Sequence, residues 1–476
     1  MKRVIRDLLG SKPNVLTTGQ RATHTYIIGQ PGTGKSRALE SWVMQDIFAG
    51  HGVAIIDPHG DLFNNLLARI AVVPKVWERV VILNPCNPKW VVSFNPLEAI
   101  KGSSEERIAH FLTDIVVKIW KLDTGSTPRM IWLLTNSFLA LSDLGLTLLD
   151  LPRFLMDTGL RESLLPHLKS ESARNYFTYE FPKSSGAIHQ WVTPVLNKLG
   201  GLIFDPDVRL MIAGGSGLNF RNAIDRKLIL LVNLPKGIIG EGASALLGAF
   251  IVAHLQKAAL SRADTKLREP FFLYLDEFQN YTTNNIIDIL SESRKYALSL
   301  TLAHQYLDQL SPDMRSAVLN TAGTLVCFRV GYQDAYHLVK EIFPSVGFLA
   351  EPEKGYRVER IGNFPLLVFE EAKKPLSWES LAETLTKLPN REFWSRRRGV
   401  YSPYRQRTFN MPDPVLTADV RENLGKLLDL SGQRFGRLKK EVQMEINNKR
   451  IYKGNQPHRS SPGSEDQETE DFIWGN

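Results

Sequence analysis

The stretch "ATHTYIIGQPGTGKSRALESWVMQDIFAG", residues 22–50, decides the fold. Its apolar opening predicts a buried strand that runs into a glycine-rich turn. From Ser36 onward the spacing predicts a helix closed by Gly50. Between the two, "GQPGTGKS" at 29–36 fits G-x-x-x-x-G-K-[ST], in the strand-to-helix setting that gives this motif its meaning. Glycines at 29, 32 and 34 let the loop turn so that backbone N–H groups and the helix N-terminus face an anion. Gly29, Gln30, Pro31, Gly32, Thr33 and Gly34 are then the phosphate cradle. Lys35 reaches the β and γ phosphates, and the Ser36 hydroxyl ligates Mg²⁺. The bland alternative is a glycine turn ahead of a helix; the motif in its context favours ATP with Mg²⁺.

Outward from this loop, "GVAIIDPHGDL" and "RVVILNP" predict two more buried strands, so the chain begins as a parallel α/β sheet. Apolar residues then fall at helical spacing in "ERIAHFLTDIVVKIW" and "RMIWLLTNSFLALSDLG", which predicts an all-helical insertion. Strands return with "KLILLVNLP", "FFLYLDEFQNY" (271–281), "LSLTLAHQ" and "GTLVCFRV". An apolar strand that ends in the adjacent carboxylates Asp276 and Glu277 needs a reason for them, because charge beside a core is costly. Paired with the phosphate loop, Asp276 suits a Walker B carboxylate in the Mg²⁺ shell, and Glu277 can activate the attacking water. The bland reading is a strand end that turns out into solvent. Asp57 and His59 end the strand after the loop, either near the nucleotide or in an ordinary Asp-Pro turn.

The expected organisation is therefore residues 1–101 as the first part of the nucleotide-binding domain, 102–200 as the helical insertion and 201–350 as the second part. A C-terminal extension, 351–450, carries a basic aromatic segment and one amphipathic helix through Val420, Leu424, Leu427, Phe435, Leu438, Val442 and Ile446. An acidic disordered tail, 451–476, closes the chain.

With 43% hydrophobic and 23% charged residues over 476 positions, the chain can bury a core in each unit. The excess of 58 Lys+Arg over 50 Asp+Glu permits a polyanionic partner without demanding one. Cys86 and Cys327 stand apart in apolar surroundings, which argues against a disulfide framework or zinc site and for a reducing, cytoplasmic setting. No uninterrupted apolar run of about 20 residues is evident, so no membrane span is expected. The N-terminus lacks the apolar length of a signal peptide.

The chain resembles the FtsK/HerA-type DNA-translocating ATPases, most closely the coupling-protein branch of conjugation and type IV secretion. The residues that carry the resemblance are "GQPGTGKS", "AIIDPHGDL", "SFNPL" at 93–97, "LILLVNLPKG", "FFLYLDEFQN", "SRKYALSLTLAHQYLDQL" at 293–310 and "LNTAGTLVCFRVG". The resemblance implies a RecA-like P-loop core with a mostly parallel sheet, interrupted by an all-α domain, and a hexameric ring around DNA. It implies that Gln305 senses the γ-phosphate or the water. A strand's C-terminal edge is also where ligands bind in open α/β sheets; the bland reading of Gln305 is a polar strand cap. It implies an arginine supplied by the neighbouring subunit, with Arg294 the first candidate and Arg329 the second. Either can instead be a solvated arginine or a partner for a local carboxylate. Coupling proteins usually carry N-terminal transmembrane helices, which this sequence does not show. Docking on an inner-membrane partner, or a soluble role in mobile-element maintenance, DNA processing or defence, are the resulting alternatives.

Sequence-independent contact with double-stranded DNA needs basic surface. Arg107, Lys118, Lys121 and Arg129 supply some in the insertion, mixed with acids, so a solvated helical face accounts for them equally well. Arg396, Arg397 and Arg398 with Trp394, Tyr401 and Tyr404 form a denser cluster that suits nucleic acid, a subunit contact or a basic linker. A motor on DNA is the leading expectation. The alternative is a nucleotide-switched platform that recruits a relaxase, a nuclease or secretion-channel proteins.

Overall fold

The computed structural model describes residues 18–98, 104–214, 217–281, 284–344, 356–361, 364–369, 377–400 and 403–452. Its strands are β1 (Thr25–Ile28), β2 (Gly52–Asp57), β3 (Val80–Leu83), β4 (Trp90–Val91), β5 (Ile229–Asn233), β6 (Phe271–Leu275), β7 (Leu298–His304), β8 (Thr324–Cys327), β9 (Tyr356–Ile361), β10 (Phe364–Phe369), β11 (Glu392–Arg397), β12 (Tyr404–Arg407) and β13 (Arg437–Leu438). Nine of them form one sheet in the order β12-β11-β8-β1-β7-β6-β2-β5-β3. From β8 to β3 every neighbour pair is parallel, whereas β11 runs antiparallel to both β8 and β12. The fold is the mostly parallel α/β sheet that the sequence predicts.

The parallel strands are apolar on both faces because helices cover both. Side chains alternate along each strand. On one face Ile27, Val53 and Ile55 pack with Leu39, Trp42 and Val43 of α1 (Lys35–Phe48) and Phe63 and Leu66 of α2 (Asp61–Ala71). On the other, Tyr26, Ile28, Ala54 and Ile56 meet a larger core shared with the helices. Those helices include α3 (Glu105–Ile119), α4 (Pro128–Asp143) and α5 (Ser185–Ile203), which follow one another with only short helical turns between them. After them α6 (Glu241–Leu260) runs against the sheet and is buried nearly all round, as an apolar helix must be in water. By length and composition the stretch Glu241–Asp264 is apolar enough to cross a bilayer, which the sequence reading did not expect; its most apolar part is mostly buried inside the fold.

Two features of the C-terminal region differ from expectation. The basic aromatic segment, read as a linker or a binding surface, supplies β11 and β12 and so widens the main sheet. Trp394 packs edge-on against Phe343 with ring centroids 5.0 Å apart, and Arg396 reaches Glu341 at 3.4 Å. Tyr404 is exposed, and Tyr401 lies outside the described residues.

The single amphipathic helix is in fact two, α7 (Ala418–Phe435) and α8 (Lys439–Tyr452). Two glycines let the chain pass close to β4 around the break. Gly432 sits so close to Trp90 that a Cβ there would lie 2.2 Å from the indole, and one at Gly436 would lie 2.9 Å from the Val91 carbonyl. The chain leaves the helix there and pairs β13 with β4. Leu427 of α7 enters the core beside α2, while Val442 and Ile446 of α8 pack toward the helical insertion. Of the tail read as disordered, 451–476, the first two residues instead complete α8, and from 453 onward it lies outside the described residues.

Candidate active site

All parallel strands point their C-terminal ends the same way, so the loops after β1, β2, β6 and β7 open onto one edge of the sheet. There Pro31, Gly32, Gly34, Lys35, Ser36, Asp57, His59, Asp276, Glu277 and Gln305 line a cleft of about 370 Å³. The expected phosphate loop, Walker B pair and sensor glutamine are thus brought together.

The loop is held open by features its sequence dictates. Gly32 and Gly34 have φ of 73° and 112°, values that side chains rarely adopt. Gly29 is required by space, since a Cβ there would come within 2.5 Å of Phe328 Cβ. Thr33 Oγ1 donates to the Gln30 carbonyl at 2.7 Å and braces the turn from within. From outside, the Gln30 N–H donates to the Arg329 carbonyl at 2.8 Å and the Arg391 N–H to the Thr33 carbonyl at 2.7 Å. The buried Lys35 ammonium curls into the loop and donates to the carbonyls of Gly29 at 2.5 Å and Gln30 at 3.1 Å.

Asp276 and Glu277 are 6% and 7% exposed. The Asp276 pKa is pushed up to about 7, chiefly by burial and then by the nearby Asp57 and Glu277; Lys35 pulls the other way. Burial likewise lowers the Lys35 pKa, against the opposing pull of Glu277 and Asp276. Three carboxylates thus face one ammonium. That deficit of positive charge fits a divalent cation.

Among the described residues no group of three or more His, Cys, Asp or Glu side chains forms a complete metal cage. A Mg²⁺ held by one carboxylate, a hydroxyl and the phosphates of its substrate needs none. Asp276 and Ser36 are the residues here that would hold it.

Glu277 is locked in orientation. Its oxygens accept from Gln305 Nε2 at 2.9 Å and from Gln279 Nε2 at 2.7 Å. Its backbone sits at φ 47°, a left-handed conformation that turns the chain sharply after β6. The backbone N–H of Gln305 in turn donates to Gln309 Oε1 at 3.0 Å. Asp57 also has a structural role, because its oxygens accept from the N–H groups of His59 at 2.8 Å and Phe63 at 2.9 Å, which fixes the turn into α2.

Sequence reasoning did not single out Arg37, Asp61 and Leu62, which also line the cleft. Arg37 directly follows the motif and was open to notice. So was Gln279, two residues after Glu277; Arg391 was not, because only the fold brings it to Gly34. Arg294 is not at the cleft: it lies exposed in the turn Ser293–Tyr296, at the opposite, N-terminal end of β7. Its charge acts on His24, just before β1. Arg329 stands beside the loop, but its guanidinium donates to the Leu388 carbonyl at 3.2 Å. Of the basic residues in the insertion, Arg107, Lys118, Lys121 and Arg129 are exposed, and Arg129 lies 4.7 Å over the Trp191 ring.

No family model and no curated protein matches this chain in sequence. In structure it is similar to the bacterial conjugative coupling protein TrwB. The unbound form shares 15% identity at a TM-score of 0.58 over 87% of this chain and 92% of that one. A second structure of TrwB, in complex with ADP and Mg²⁺, gives 15% identity and 0.56 over 87% and 94%. VirB4 of Thermoanaerobacter pseudethanolicus shares 14% identity at a TM-score of 0.51 over 82% and 90%. At these identities the likeness establishes a shared RecA-like P-loop fold.

Proposed function

We propose that this chain is an ATP-hydrolysing motor that assembles into a ring, most simply a hexamer, and moves double-stranded DNA irrespective of sequence. Conjugative transfer, type IV secretion or a related mobile-element process is the setting. The observation that carries the reading is the meeting of Lys35, Asp276, Glu277 and Gln305, from separate segments of the chain, around one cleft.

The chemistry follows from these side chains. Lys35, released from the loop carbonyls, neutralises the β and γ phosphates, and the loop N–H groups hold their oxygens. Glu277 accepts the proton of a water whose oxygen attacks the γ phosphorus, as the bond from that phosphorus to the β-bridging oxygen breaks and ADP leaves. Gln305, bonded to Glu277, is suited to register whether the γ-phosphate is present. Bound Mg²⁺ would neutralise charge on the phosphate oxygens. TrwB was solved with ADP and Mg²⁺, which supports the same pair of ligands here.

Arg294 lies at the far edge of the sheet, so it can serve a nucleotide only across a contact between subunits, as ring ATPases arrange. The exposed basic residues of the insertion offer phosphate-directed contacts. A relaxase, nuclease or channel protein would be the partner that sets the cargo.

The test is Mg²⁺-dependent ATP hydrolysis by the purified protein and by its Lys35→Ala variant. Hydrolysis should require Mg²⁺ and fall at least about a hundredfold in the variant, as loss of a positioned charge at a transferring phosphoryl implies. Equal turnover in the two proteins would overturn the assignment.

A further inference from the structure

The cleft accounts for a triphosphate but not for the nucleoside attached to it. Sheet order fixes which end is which. Asp276, Glu277 and Gln305 follow β6 and β7, to one side of β1. With the γ-phosphate there, the ribose and base must leave past the first turn of α1 toward the other side, where β8, β11 and β12 lie.

That side carries a strap. After β12 the chain Thr408–Asp413 crosses the start of α1, where Asp413 pairs with Arg37 and the Pro412 carbonyl accepts from Arg69 Nη2 at 2.6 Å. Arg391, just before β11, joins this strap to the phosphate loop. Its N–H bonds the Thr33 carbonyl, and its side chain runs alongside Gly34, with Cγ 3.6 Å from where a Cβ would stand.

Among the described residues the Arg391 guanidinium donates to neutral acceptors, Asn410 Oδ1 at 2.9 Å and the Thr408 carbonyl at 3.2 Å. Among the described residues no carboxylate pairs with it. Asn410 is exposed. A planar guanidinium stacks on base faces, and an amide presents both a donor and an acceptor to a base edge or a ribose hydroxyl.

We propose that Arg391 and Asn410 form the nucleoside subsite of this cleft, Arg391 packing on the base and Asn410 bonding its edge or the ribose. The proposal rests on the reading of the cleft as an ATP site. It extends that site to a hairpin distant in sequence.

The experiment compares the affinities of ATP and inorganic tripolyphosphate, each with Mg²⁺, for the parent protein, Arg391→Ala and Asn410→Ala. Tripolyphosphate offers the phosphate loop its ligand and lacks the nucleoside. ATP affinity should fall about tenfold in Arg391→Ala and several-fold in Asn410→Ala, with tripolyphosphate affinity unchanged.

Unchanged ATP affinity in both variants would overturn the subsite. An equal loss for both ligands would also overturn it, by placing these residues on the phosphates. Because Asn410 is exposed, its variant keeps the test valid if Arg391→Ala folds poorly. A parent protein that binds neither ligand would instead sink the ATP reading itself.

Discussion

Asp276 shows most sharply how one residue carries a tension that the fold does not relieve by itself. Its carboxyl is buried beside Asp57 and Glu277, with Lys35 as the opposing charge, and its pKa is lifted from 3.8 to about 7. The unfolded chain releases this proton near the ordinary value, while the folded protein keeps it until about 7. Between those values each rise in pH therefore favours the unfolded state, and above them the cost is constant. An Asp276→Asn variant escapes that cost. Without nucleotide or Mg²⁺, its unfolding temperature should exceed the parent's by more at about pH 8 than at about pH 5. A gain independent of pH would show that the proton on Asp276 is not the source of the strain. The same electrostatics makes the cation useful, since binding it would let the carboxylate ionise in place.

At the scale of elements, what the sequence disclosed depended on whether a signal was local. β1, the phosphate loop and α1 were legible together because glycine spacing and hydrophobic period coincide within residues 22–50. β6 and β7 were legible as apolar runs that end in Asp276 and Gln305. Neither β11 nor β12 was, because "EFWSRR" and "YRQR" are basic and aromatic, and they become strands only through pairing with β8 and with each other. The division between α7 and α8 was equally hidden: hydrophobic spacing continues through it, and the pairing of β13 with β4 that lies between them is distant in sequence. Site residues obey the same rule, for the motif revealed Lys35 and Ser36 while Arg391 is a product of topology.

The α7 contact makes a direct prediction. Gly432→Val would drive a side chain into the Trp90 ring and should cost about 1–3 kcal/mol in denaturant unfolding, as overpacking of a fitted contact does. ATP affinity should survive, because Gly432 is remote from the cleft lining. A variant as stable as the parent would mean that α7 does not press on Trp90 in solution.

For the whole molecule, one consequence of the architecture is that catalytic groups and basic surface lie on different parts of the chain. The cleft lies at the C-terminal edge of the sheet, whereas Arg294 stands at its N-terminal edge and the exposed bases of the insertion lie on separate helices. On the proposed function a single subunit supplies the ATP cleft, and moving a polymer asks for neighbours that surround it. Coupling between ATP turnover and DNA is therefore the property that a motor must show.

The direct measurement is ATP turnover by the purified protein with and without double-stranded DNA of unrelated sequences, together with displacement of a protein roadblock bound to that DNA. DNA should raise turnover whatever its sequence, and the roadblock should be released. Glu277→Gln should bind ATP, lose turnover about a hundredfold or more, and release nothing. Turnover indifferent to DNA, with the roadblock left in place, would contradict the motor.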